Sequence, residues 1–139
     1  GDKLRWCQRM RYLGIFIVAS ISFKCDCSHA RSSFCRAANS IMSQVGSSAS
    51  EEVLLHLLKT KCLPILLYGT EATGLNGREA SASDFALRRF VIKMFRTTNN
   101  DTIEGIYDFM SLEKPSFSAR TREVRFLCKF GMTATVYVG

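Results

Sequence analysis

The sequence predicts a mainly α chain with a small N-terminal β-hairpin, an α+β arrangement in which a helical bundle holds most of the residues. Three observations predict it. Apolar residues recur at three- and four-residue steps through long stretches beyond Ser28. A dense run of β-branched and aromatic residues, Tyr12-Leu13-Gly14-Ile15-Phe16-Ile17-Val18, lies ahead of them. Capping signals and turns containing glycine or proline separate the periodic stretches.

The chain has 139 residues, 47% hydrophobic and 22% charged, which is one domain of ordinary size with enough apolar side chain for a core. A division follows from the pattern: a β segment over 1–27, a helical domain over 28–130 and an unassigned tail over 131–139.

In the β segment, 12–18 reads as a strand, with Gly14 marking a bulge or a close backbone approach. Ile21 and Phe23 read as a short return strand. From Ser28 the pattern turns helical: Phe34, Ala37, Ala38, Ile41, Met42 and Val45 share one face, and Gly46 is a natural stop. Ser48 and Glu51 have the S-x-x-E spacing of a capping box, and Val53, Leu54, Leu57 and Leu58 form the apolar face behind it. Lys59 and Lys61 suit a helix end, and Pro64 makes a regular helix difficult to continue and leaves a kinked one open. The stretch 69–83 reads as a loop. Ser81 and Asp84 then open a helix to about Arg96, with Leu87, Phe90, Val91, Met94 and Phe95 on one side and Arg89, Lys93 and Arg96 opposite. After a turn at Thr97–Asp101, residues 102–112 are weakly helical, Pro115 breaks the pattern, and Ser118–Phe130 forms a basic last helix. Residues 133–138 have strand composition without an evident partner.

The formal charge is +7 and the pI near 9.3, which favours anionic partners, nucleic acid first and an acidic membrane surface next. Seven basic and two acidic residues lie in positions 1–36, so the excess is concentrated early. No uninterrupted apolar run reaches the roughly 18 residues that span a bilayer, and the N-terminal residues have no signal-peptide pattern. The expectation is an intracellular chain, nuclear or cytoplasmic, without a membrane partner. The six cysteines then read as reduced thiols.

Little in the sequence reads as a reactive centre. Cys25, Cys27, His29 and Cys35 invite a zinc site, but the usual C-x₂-C spacing is missing, and a turn with incidental cysteines is preferred. His56 sits in a leucine-rich helix. Glu51-Glu52 opens a helix, where acidic residues suit the dipole, and no other carboxylates adjoin for two-metal chemistry. The Arg89/Lys93/Arg96 stripe has two readings, a phosphate-tracking surface or a solvated helix face. Arg120, Arg122, Arg125 and Lys129 have the same two.

An ordered series of segments adds a resemblance. Arg11-Tyr12-Leu13-Gly14-Ile15, the run Phe34 to Ile41, Ala49 to Val53, and Lys59 through Leu63-Pro64-Ile65-Leu66-Leu67-Tyr68-Gly69-Thr70-Glu71 come first. Asp84-Phe85 to Arg89-Phe90, Lys93 to Thr97, and Pro115-Ser116 with Arg122 and Phe126 follow. Over about residues 3–130 their order and spacing resemble the region after the polymerase active site in reverse transcriptases of LINE-type (non-LTR) retrotransposons. The resemblance implies a primer-grip strand-turn element at Tyr12, Leu13 and Gly14, followed by a helical thumb that clamps an RNA template–DNA primer duplex. The nucleic-acid role of Arg89, Lys93 and Arg96 is inferred from their shared face. The family's catalytic aspartates, including its Tyr/Phe-x-Asp-Asp pair, belong to the fingers and palm and do not occur in this sequence, nor does its endonuclease domain. Ala72-Thr73-Gly74 before Leu75-Asn76 also departs from the family pattern. The implied partners are therefore the duplex and the palm and fingers, with no catalytic residue and no cofactor in this chain, Mg²⁺ belonging to the palm. A chain of this kind is expected to be inactive as a polymerase alone. A small helical interaction module, and a decayed copy of an element without activity, are the alternative readings.

Overall fold

A computed structural model describes residues 2–22, 24–45 and 48–131. It is mainly helical, with a small antiparallel sheet at the N-terminal end. Strands β1 (Arg9–Tyr12), β2 (Ile15–Val18) and β3 (Lys24–Asp26) pair in sequence order, with Tyr12 opposite Ile15 and Phe16 opposite Asp26. The run 12–18 is thus not one strand. It folds back at Leu13-Gly14, where φ is +48° and +83°, the positive values that a two-residue hairpin turn requires. The return strand lies at Lys24–Asp26 rather than at Ile21, which is fully exposed, and Phe23 falls outside the described residues.

Helix α1 (Ser28–Val45) follows the expected face: Phe34 and Ala38 are buried, and Ala37, Ile41, Met42 and Val45 pack against the core. Gly46 lies outside the described residues. Helix α2 (Glu51–Leu57) starts two residues later than the expected box implies. Ser50, not Ser48, is its N-cap and accepts from the Val53 amide, while Ser48 bonds the Val45 carbonyl behind it. The apolar face shifts accordingly: Leu54, Leu55 and Leu58 are buried and Val53 is exposed.

The helix continues through Pro64, but not as a regular one. Proline lacks an N–H, and its ring crowds the carbonyl four residues back, here that of Thr60. The turn Leu58–Cys62 widens to π geometry and α3 (Leu63–Leu67) continues from it, with Pro64 in its first turn. Lys59 serves a different helix end from its own: its Nζ donates to the Met110 carbonyl at 2.6 Å, beyond the last turn of α6.

The stretch 69–83 is largely helical rather than a loop. Gly69 (φ +76°) and Gly74 (φ +66°) bracket the short helix α4 (Thr70–Thr73). Helix α5 (Gly77–Phe95) opens at Asn76, whose side chain accepts from the Glu79 amide at 2.9 Å. Asp84, expected near the start of that helix, is inside it and caps another: its carboxylate accepts from the Ser116 amide at 2.8 Å and the Ser116 hydroxyl at 2.7 Å. That contact opens α7 (Pro115–Lys129), where Pro115 occupies the first turn and is buried instead of breaking the helix. Between them α6 (Asn100–Phe109) is capped by Asn99.

Helix α1 packs on α3, α5 and the π turn, and α7 lies along α4 and α5. Phe34, Leu58, Cys62, Leu87, Val91 and Ile103 are fully enclosed where these helices meet. Each large apolar side chain removed from water there contributes about 1.5–3 kcal/mol. By length and composition, Glu51–Thr73 is long and apolar enough to cross a bilayer. Scanning for uninterrupted apolar runs misses it because Lys59 and Lys61 interrupt the run. Its Leu54, Leu55, Leu58, Cys62 and Leu66 belong to the core just described.

Candidate nucleic-acid interface

The hairpin tip is fastened to the helical body at one place. Tyr68, which follows α3, donates its hydroxyl to the Leu13 carbonyl at 2.9 Å, across 55 residues of chain. Its ring covers Gly14, where an added Cβ would come within 3.2 Å of Tyr68 Cε1. Next to it, a Cβ on Gly69 would meet Ile15 Cδ1 at 2.5 Å. Both glycines also have positive φ, so absence of a side chain serves the turn and the close approach together. The close approach expected at Gly14 is therefore met. Leu13 has no such excuse: it is a bulky residue with φ +48°, its side chain 72% exposed. Strain of this kind persists only where the surrounding structure holds it; here the two-residue turn between β1 and β2 requires it, and the Tyr68 hydroxyl bonds the Leu13 carbonyl. Tyr12, 59% exposed, ends β1 beside it.

Behind the tip, basic and aromatic groups stack. Arg9 Cζ lies 4.0 Å from the Phe16 ring centre, Arg11 Cζ 5.7 Å, and the His29 ring meets Phe16 edge-on at 5.1 Å. Arg9 also pairs with Asp26 at 2.9 Å. Hydrogen bonding from Ser28, through side chain and backbone, and the nearby Arg9 and Arg31 charges hold the Asp26 carboxyl below its usual range. A cleft of about 530 Å³ opens between the hairpin and α1, α3 and α4, with Arg11, His29, Ser33, Tyr68 and Thr73 in its walls.

The basic stripe of α5 is divided by the structure. Arg89 and Lys93 line a groove of about 640 Å³ between α1 and α5, and Lys93 Nζ donates to Asn39 Oδ1 at 2.9 Å. Arg96 is exposed at the end of α5, left-handed at φ +53°, and is not part of the groove lining. On α7, Arg120, Arg122, Arg125 and Lys129 are all exposed. Arg122 and Arg125 share a shallower depression with Lys59 and Thr121.

Among the described residues, no three of His, Cys, Asp and Glu converge as metal ligands would. Burial raises the thiol pKa of Cys25 and Cys62. It pushes Cys27 to about 11, with the Glu79 charge adding to burial and Arg31 opposing. Arg31 and Glu79 themselves form a half-buried ion pair that ties α1 to α5.

Comparison with protein-family models, with curated proteins and with solved structures finds no match. The latch between Leu13 and Tyr68 and the stack around Phe16 are the features that sequence reasoning misses. Nothing in local periodicity links residues so far apart. The available signal is that Leu13-Gly14 and Tyr68-Gly69 are both aligned, as separate pieces, by the resemblance.

Proposed function

We propose that this chain is the primer-grip and thumb region of a non-LTR retrotransposon reverse transcriptase, which holds a DNA primer end and an RNA–DNA duplex while the palm and fingers supply the chemistry. The observation that carries the reading is the latch. Two segments singled out by the resemblance, Tyr12-Leu13-Gly14 and Leu67-Tyr68-Gly69, meet through the Tyr68 hydroxyl at 2.9 Å and the Gly14 surface. A hairpin tip held this way presents backbone and an exposed leucine at a set position relative to the helices, which is what gripping a strand end needs. The +7 charge and the exposed arginines of α5 and α7 suit a phosphate backbone. The apolar side chains exposed on the N-terminal segment, Leu4, Trp6, Met10 and Tyr12, suit contact with the palm.

The role is positioning, so the test is binding. An isotherm with a labelled RNA–DNA duplex is expected to show weak affinity with little sequence preference. That affinity should fall steeply as salt rises, because each neutralised phosphate releases counterions. Absence of binding at low salt, or binding indifferent to salt, would contradict the reading. The same exposed apolar residues favour a second reading, a module that docks a protein partner or another copy of itself. A dimeric elution volume together with no nucleic-acid binding would favour that one.

A further inference from the structure

We infer that the groove between α1 and α5 is a binding site for an unpaired nucleic-acid strand, with Phe85 as the platform on which a base stacks. The groove has three basic side chains in its lining, Arg31, Arg89 and Lys93, and no acidic one. Arg31 is engaged with Glu79, which leaves Arg89 and Lys93 as the cations facing an incoming anion. Lys93 is held by a neutral amide, that of Asn39, which orients the ammonium without cancelling its charge.

Phe85 distinguishes this groove from an ordinary basic helix face. It is 59% exposed, whereas Phe90 on the same helix is 5% exposed and belongs to the core. Phe85, Arg89 and Lys93 stand at successive four-residue steps of α5, about 6 Å apart along its axis, and so form one ridge. Arg89 Cζ lies 6.0 Å from the Phe85 ring centre, at the outer limit of a cation–π contact, so the guanidinium flanks the ring more than it covers it. An aromatic face beside a cation, followed by a second cation one turn on, is the combination that holds single strands: the base stacks and the phosphates lie along the positive ridge. A duplex keeps its base faces stacked on each other and cannot use the ring.

The inference extends the nucleic-acid reading above but stands on a different surface from the hairpin latch, so the two can fail separately. The test is fluorescence anisotropy of the whole chain with labelled oligouridylate, oligothymidylate and an RNA–DNA duplex, using Phe85→Leu and Phe85→Trp. Because Phe85 is exposed, neither substitution is expected to alter the helical circular dichroism or the melting temperature. Phe85→Leu is expected to weaken single-strand binding about tenfold and leave duplex binding unchanged, and Phe85→Trp to retain binding with quenching of the new indole. Comparing the two oligonucleotides tells RNA from DNA. Single-strand affinity unchanged in Phe85→Leu, or no single-strand binding at low salt, would overturn the proposal. No duplex binding by the unsubstituted chain, together with single-strand binding that Phe85→Leu weakens, would overturn the primer-grip reading and not this one.

Discussion

Leu58, Leu87 and Ile103 have no exposed surface, whereas every residue of the three strands is exposed or only half-buried. The helical body is held by burial shared among five helices and the π turn. The sheet is held by its own ladder and a few defined contacts: the Tyr68 hydroxyl on Leu13, Gly69 against Ile15, and Asp26 between Arg9 and Ser28. The position of the hairpin and the stability of the body are therefore expected to be separable. A substitution in the body should unfold everything, while one at the latch should move the hairpin and leave the helices intact.

The largest effect is expected in the core. Leu58→Ala deletes a fully enclosed side chain at the junction of the π turn and α1, and is expected to cost about 2–5 kcal/mol by urea denaturation. Hairpin and helix amides should lose protection together, because the sheet has no core of its own. Gly69→Val comes next. It places a branched side chain at φ +76° and against Ile15 Cδ1, at a cost of about 1–3 kcal/mol. Here hydrogen exchange should accelerate in β1 and β2 while α1 and α5 stay protected; uniform loss would mean that the two regions are not separable.

Tyr68→Phe sharpens the same point with less force. It removes one hydrogen bond, worth about 1 kcal/mol, and retains the ring over Gly14. The amides of the hairpin should exchange severalfold faster, with the urea midpoint almost unmoved. The smallest effect is at Asp26. Its folded pKa is lowered, so its contribution is present above the unfolded value near ~3.9 and is lost as pH falls through the folded one. Acidification below about pH 4 should therefore loosen the β3–α1 junction before the core, and Asp26→Asn should remove that pH dependence. Chemical shifts of Ser28 and Arg31 followed against pH would report it.

The helical face of α1 and the division of α5 into apolar and basic sides are legible in the sequence, because a 3.6-residue period needs no knowledge of neighbours. Boundaries are less so. Ser48 and Glu51 have the right spacing for a capping box, yet Ser50 does the capping; Asp84 has the right chemistry for a cap, yet it caps a helix more than thirty residues on. A hairpin is expected at the N-terminal end, but composition hides the place of its turn. Leucine is a poor residue for positive φ, so the run 12–18 reads as one strand; only the resemblance implies a strand-turn element at Tyr12, Leu13 and Gly14. The Leu13 carbonyl accepts from Tyr68, 55 residues further on, a contact that no local pattern shows. Of the basic trio, Arg89 and Lys93 could be grouped from spacing, whereas Arg96 takes a left-handed conformation where the helix ends.

In the proposed function the hairpin tip meets the end of a primer strand. It is tested most directly by placing a photo-crosslinking side chain at position 13 and irradiating the chain with an RNA–DNA duplex labelled at the DNA 3′ end. Adducts confined to the last few DNA nucleotides, reduced by Tyr68→Phe and by raised salt, are the predicted result. Adducts spread along both strands, or none under conditions where the duplex is bound, would contradict it.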